Sequence, residues 1–489
     1  MGLSFLDRFL EQLKYLPQEP LLFNSSFFLY FFFIVVVFNR IFINNRRAKV
    51  IFLMMMSLFF YYKSSGIYFY LVIVSSLIDY FAGLQISNTN DKRKKKIFLL
   101  ISLVANLGLL GYFKYTYFIL DTFNLLGKPP FDAVDIFLPV GISFFTFQSM
   151  SYTIDIYRGV LKPEKDFLNF LFFVSFFPQL VAGPIVRASE FLPQINKEPF
   201  ITKADIGRAM FLIIAGLLKK AVIADYISIN FVDRVFDFPA RFTGVENLLA
   251  VYAYGLQIYC DFSGYSDMAI GLALLLGFRL PDNFNSPYRA ATITELWRRW
   301  HLTLSRWLKD YLYISLGGNR KGRLKTYRNL FLTMLLGGLW HGANWRFVIW
   351  GMFHGILLAV ERYFNIPQKI EKYKFLRIPG IITTFHLWLL SMIFFRAQSY
   401  SDAFGMIKQI FYFFEPKVFL QWVAGYPLIL TLMIIGYVSH YMPAKVENKF
   451  REWLTISPLW VQALLLAVVI WIVAQFKSSD IQPFIYFQF

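Results

Sequence analysis

What most limits the fold of this chain is a succession of apolar runs, each near the ~20 residues a helix needs to cross the hydrocarbon core of a bilayer. The first four lie at about 21–38, 50–62, 66–84 and 97–118. The intervals between them hold Arg40, Arg46, Arg47 and Lys49, and then Asp91 followed by a basic run from Lys92 to Lys96. If all four runs span, both basic intervals fall on one side and the turn at Lys63 on the other, as the positive-inside rule requires. The basic loops are therefore expected in the cytoplasm and the N-terminus outside. With 57% of its 489 residues hydrophobic and 20% aromatic, the chain is excluded from the ordinary water-soluble globules. The net charge of +19 is then read as cytoplasmic loops facing anionic lipid, and no nucleic-acid partner is expected.

Further apolar segments at 207–225, 246–278, 377–395, 418–439 and 457–475 complete an all-α integral membrane protein of roughly ten to twelve transmembrane helices. It is expected to be a single multi-pass domain over 1–489, without a repeat, linker or soluble domain. Residues 1–16 alternate Leu6, Phe9, Leu10, Leu13 and Leu16 with polar residues at the spacing of an interfacial amphipathic helix, which Pro17 ends. No cleavable signal segment is apparent. From 135 the pattern becomes irregular, with Pro139, Gly141, Pro178, Gly183 and Pro184 inside apolar runs. Broken helices persist at membrane depth only where protein or a watery cavity satisfies the freed backbone, so re-entrant helices around a central funnel are expected. Within 246–278 stand Asp261, Ser263 and Asp267, read as polar residues that face the funnel or pair with Lys or Arg.

Several active sites are excluded by inspection. Neither Ser263 nor Ser266 sits in Gly-x-Ser-x-Gly, so there is no nucleophile elbow. His341 and His354 are 13 residues apart, about 20 Å along a straight helix, too far to share a metal, and the single Cys260 rules out a multi-cysteine site. No metal site is expected. No phosphate-binding or dinucleotide-binding glycine loop is present.

Three of the five histidines fall between Thr294 and Gly355. There Thr292-Ile-Thr-Glu295 has capping-box spacing and is expected to start a helix that carries Trp297, Trp300, Leu304, Trp307 and Tyr311 on one broad side. Between Arg289 and Arg328 there are ten Lys or Arg and two acids, a local charge of +8 suited to a lipid surface or to a phosphate-bearing donor. The apolar segment that follows holds His341 in its interior, with Gly338-x-x-x-Gly342 and Gly351-x-x-x-Gly355 allowing close helix approach. An ionisable side chain there either bonds across helices or serves as a base in a low-dielectric site.

The stretches WRRWHLTLSRWLKDYLYISLGGNRKG (297–322) and LGGLWHGANWRFVIWGMFHG (336–355), preceded by QIYCDFSGYSDMAIG (257–271) and FFPQLVAGPIVR (176–187), resemble the membrane-bound O-acyltransferase family. The likeness covers 135–400, taken as the acyltransferase core, and is closest to the bacterial branch that O-acetylates alginate or transfers D-alanine to lipoteichoic acid. It implies transfer of an acyl group, acetyl in this reading, from a cytoplasmic thioester through a funnel toward a cell-surface polysaccharide. It also implies localisation in the inner membrane. The donor would be acetyl-CoA or an acyl-carrier protein, with no bound cofactor. An extracytoplasmic acetyltransferase or the polysaccharide itself would be the receiving partner. By motif, His341 matches the family's essential histidine and His301 its second recurrent polar position, whereas His354 is read as structural. Trp297, Arg298, Arg299, Trp300, Asn319, Lys321, Trp340 and Asn344 are the candidate substrate- and donor-binding residues. The alternatives are D-alanyl transfer from a carrier protein to teichoic acid and, from another class, a transporter without acyl-transfer chemistry.

Overall fold

A computed structural model of the chain describes residues 11–17, 20–125, 136–197, 201–476 and 484–485. The expected interfacial helix lies mostly outside the described residues, and residues 11–13 at its end are helical. Among the described residues all regular structure is helical and no strand occurs, so the all-α class stands. Among the described residues four helices are long and apolar enough to cross a membrane, or up to six if two bent pairs each count as one span. The ten to twelve expected are not confirmed, and several of the apolar segments fold into short or broken helices. One of the four, the helical run Arg46–Asn88, has 43 residues. A straight helix of that length would measure about 65 Å, twice the hydrocarbon thickness. It breaks at Gly66, whose φ of 59° and ψ of −140° lie outside helical space.

The chain forms two compact units, one from residues up to 209 with 268–281, the other from 210–267 with 282–485. The first contains α1 (Arg46–Ser65), α2 (Phe69–Asn88), α3 (Lys92–Leu110), α4 (Ile142–Tyr157) and α5 (Phe167–Ser175). Asn45 and Asp91 cap α1 and α3 by accepting from the backbone N–H of Ala48 and Arg93. Asp79 on α2 accepts from Ser102 Oγ at 2.5 Å, from Asn106 Nδ2 at 2.8 and 3.0 Å, and from Ser149 Oγ. One buried carboxylate thus joins three helices through neutral donors. Beyond α5 the chain breaks where its prolines and glycines fall. Phe176 has ψ 110°, Phe177–Leu180 makes a single turn of helix, and residues 181–186 run as buried irregular backbone.

The second unit contains α6 (Gly244–Leu275, up to residue 267), α7 (Ile293–Trp297), α8 (Leu302–Trp307), α9 (Arg323–His341), α10 (Trp345–Tyr363), α11 (Arg377–Arg396) and α12 (Pro427–His440). Two expectations need correction here. The amphipathic helix anticipated from Thr292 to Tyr311 is not continuous. It comprises α7, a break at 298–301, α8 and a π-helical turn Leu308–Tyr313. The break is set by His301, which holds the left-handed φ of 44°. The span anticipated at 418–439 is a pair of helices meeting at 90°. Pro427 opens α12, and the residue before a proline is steered out of the helical region, as Tyr426 is at φ −127° and ψ 47°.

Helices α9 and α10 form a hairpin in near backbone contact. A Cβ on Gly338 would come within 2.3 Å of the Phe347 carbonyl oxygen, and one on Gly351 within 2.6 Å of the Met334 carbonyl oxygen. The glycine spacing read in the sequence is therefore used for the close approach it suggested.

Candidate active site

The hairpin fixes the site because α9 ends on His341. The imidazole is buried, 3% exposed, among the rings of Trp340 at 5.0 Å, Trp350 at 5.1 Å and Phe395 at 5.4 Å. Trp340 also faces the ring of His301 at 6.2 Å, so the two candidate catalytic histidines flank one indole. His301 is held by a residue without any motif, Asn283. The Asn283 side-chain oxygen accepts from His301 Nδ1 at 3.0 Å and from the Thr303 hydroxyl at 2.9 Å, while its Nδ2 donates to Ser266 at 3.1 Å. With Nδ1–H donating, the neutral ring keeps its lone pair on Nε2. Burial pushes the His301 imidazolium down to a pKa of about 3, so the ring is neutral at physiological pH. A left-handed conformation in a histidine is uncommon, and strain of this kind concentrates at functional sites.

Below the hairpin lies a cavity of about 640 Å³ whose lining includes Trp297, Arg298, Arg306, Lys309, Asn319, Arg320 and Arg362. Five of its lining residues are cationic and none is acidic. From α9 it is lined by Leu330, Thr333 and Met334. His341 is seven residues beyond Met334, two turns further on the same helix face and about 10 Å along the axis. On α10 the lining residues Arg362 and Leu358 continue at four-residue steps through His354 to Trp350, beside His341. Two adjoining helix faces thus run from a basic cavity to a buried imidazole.

Of the residues singled out in the sequence, Trp297, Arg298 and Asn319 line this cavity. Arg299 does not, since its guanidinium bonds Glu295 and the Asn285 carbonyl at 3.0 Å each. Trp300 is a core residue whose ring packs tilted against Trp388 at 4.6 Å, Lys321 is exposed outside the lining, and Asn344 caps α10 by accepting from the Arg346 N–H. Asp261 and Asp267 each pair with a lysine, as anticipated: Lys220 lies 2.5 Å from Asp261 and Lys219 2.6 Å from Asp267. Lys220 also reaches Asp225 at 2.7 Å. Gly264 lets the two lysines come this close, for a Cβ there would meet the Gly216 carbonyl oxygen at 2.8 Å. Ser263 is buried beside them on α6.

The remaining histidines have structural partners. His354 Nε2 bonds Ser391, whose hydroxyl hydrogen goes to the Trp388 carbonyl; His386 bonds Tyr252; and His440 accepts the Tyr288 N–H. Two contributors went unread in the sequence. Asn283 has no neighbouring pattern to reveal it. Glu361 accepts from the Thr294 N–H and hydroxyl at 2.9 and 2.7 Å, tying α10 to the start of α7, and its place at the end of an apolar run was a usable signal.

Comparison with known proteins assigns the sequence to a family. The profile of the membrane-bound O-acyltransferase family matches residues 160–400. A peptidoglycan O-acetyltransferase of Helicobacter pylori is 41% identical over 360 residues, 68% of each chain. A probable alginate O-acetylase of Pseudomonas putida is 38% identical over 441 residues, 85% of this chain and 89% of the relative. A teichoic acid D-alanyltransferase of Bacillus subtilis is more distant, 29% identical over 291 residues, 56% of this chain and 71% of the relative. The chain belongs to the membrane-bound O-acyltransferase family.

Proposed function

We propose that this acyltransferase accepts an acetyl thioester, acetyl-CoA or an acyl carrier, at the basic cavity on the cytoplasmic side. The acetyl group passes to a hydroxyl of a cell-surface polysaccharide, or to an extracytoplasmic acetyltransferase that completes the delivery. The chain acts as a multi-pass protein of the inner membrane, with 135–400 as its core and its broken helices walling a funnel that both substrates enter. Acetyl is favoured over D-alanine because the relatives named for O-acetylation are the more similar ones.

The reading rests chiefly on the continuous faces of α9 and α10 from the cavity to His341. Five cations suit the phosphates of the donor or the acids of a carrier. A hydroxyl is a poor nucleophile until a base takes its proton, and positioned general-base catalysis contributes about 10²–10⁴-fold. In the proposed step His341 removes the hydroxyl proton while the oxygen bonds to the thioester carbonyl carbon. The tetrahedral oxyanion then collapses, the C–S bond breaks, and the imidazolium returns the proton to the departing thiolate. The products are an ester and a free thiol. No acyl-enzyme is required, and Asp261 and Asp267 hold α6 through their lysines without proton chemistry.

The test is transfer by detergent-purified protein given acetyl-CoA or a D-alanyl carrier, with His341→Ala and His386→Ala beside the wild type. His341→Ala is expected to keep donor binding and lose at least 100-fold in transfer, and His386→Ala to stay active. Near-wild-type transfer by His341→Ala would overturn the mechanism. Use of the D-alanyl carrier alone would establish the teichoic acid reading, and wild-type protein that consumes neither thioester would favour a transporter.

A further inference from the structure

A tetrahedral oxyanion needs hydrogen-bond donors already in place, and His341 as a base cannot supply them. The polar groups around it narrow the choice. Asn344 is exposed on the turn of the hairpin, where its side-chain oxygen accepts from the Arg346 N–H as a helix cap, and so stands outside the buried site. The Nδ1–H of His301 is spent on Asn283, which leaves a neutral ring with a lone pair. His354 gives Nε2–H to Ser391 and likewise keeps only an acceptor. Two indoles pack on His341, Trp340 and Trp350, and of these two Trp350 is the one whose Nε1 is among the buried atoms without a partner. Trp350 is 2% exposed and stands edge-on to His341, with ring centroids 5.1 Å apart at 84°. Its Nε1–H is buried and has no hydrogen-bond partner among the described residues. Nearly all buried donors in proteins are paired, so one left open beside the base invites a functional explanation.

We propose that the Trp350 indole N–H is the donor that stabilises the oxyanion formed when the acceptor hydroxyl attacks the thioester carbonyl. The inference rests on the reading of His341 given above. As the C–O bond forms, the carbonyl π electrons move to oxygen and the indole hydrogen bond strengthens. As the C–S bond breaks, the carbonyl reforms and the bond relaxes, with no proton transferred to or from indole. Trp297 stands next in line toward the cavity, its ring 5.7 Å from Trp350 and its own Nε1 also buried without a partner. It is placed to receive the donor before the carbonyl reaches Trp350.

The experiment compares Trp350→Phe with protein carrying at position 350 the tryptophan isostere in which sulfur replaces the ring N–H. Steady-state transfer is measured from the thioester that the wild type uses. The expected result is a kcat 10²–10³-fold lower for both, with the donor KM changed less than threefold. Trp422→Phe removes another buried, unpartnered indole N–H, one packed against Phe231 and Tyr426, and should leave transfer unchanged. Because the sulfur isostere preserves ring shape, its loss of activity cannot be assigned to packing. Should the isostere transfer within threefold of wild type while His341→Ala is inactive, the indole assignment falls and the base stands. An active His341→Ala would instead remove the reading on which both depend.

Discussion

Lys220 is a buried cation shared by two acids, and its removal tests how the acids of α6 are tolerated. Its ammonium lies 2.7 Å from Asp225 and 2.5 Å from Asp261, with only 3% of the side chain exposed. Lys220→Met keeps much of the stem and deletes the charge. The two carboxylate oxygens, held by one nitrogen, are then within about 5 Å of each other, where like charges repel by about 3 kcal/mol at an effective dielectric of 20. Breaking one side of a buried ion pair costs about 3–5 kcal/mol, in line with that figure. For a chain of this length each kcal/mol lowers the melting point by roughly 1–2 °C, so a fall of about 5 °C is expected. The assay is thermal unfolding of detergent-purified protein at one fixed scan rate, followed by tryptophan fluorescence. Adding Asp261→Asn to Lys220→Met removes the repulsion and should restore at least half of the loss. If Lys220→Met melts with the wild type, or if the double variant melts lower than the single, the lysine is not what compensates these acids.

Three further predictions follow from the site. Arg298→Gln with Arg320→Gln should raise the apparent donor KM several-fold at low salt and by much less at high salt, because exposed charges are screened within about 8–10 Å at physiological ionic strength. A donor KM insensitive to both changes would leave these side chains to the lipid. Asn283→Ala should lower kcat at least tenfold without displacing donor binding, since it frees His301; unchanged kcat would make Asn283 a packing residue. Gly351→Ala should cost about 1–3 kcal/mol by forcing a methyl onto the Met334 carbonyl, seen as a lower melting point.

How much of this was readable in the residues depended on range. The apolar runs are local, and they gave the all-helical membrane class directly. The glycine spacings around Gly338 and Gly351 and the acids of α6 also worked, because close approach and charge pairing are demanded by the residue types themselves. His301 misled the helix assignment, since nothing in RRWH announces a left-handed backbone; that conformation is held by Asn283, 18 residues away. The cavity was half visible. Its charge was plain, but which cations face it depends on the break after α7, which leaves Arg298 on the lining and turns Arg299 to Glu295. Arg362 joins it from the far end of α10, a distance that no local pattern spans.

The glycine contact between α9 and α10 also bears on how substrate gets in. Two backbones in touch at Gly338 and Gly351 have no side chains between them to repack, so the hairpin bearing His341 and Trp350 behaves as a fixed wall. Opening is left to the opposite side of the cavity, where α7 and α8 have five and six residues, a π-helical turn follows them, and Gly317, Gly318 and Gly322 have positive φ. Under the proposed mechanism gating and chemistry then fall to different parts of the second unit: the short helices can yield to a bulky donor head, while the hairpin keeps base and indole in register about 10 Å beyond the cavity.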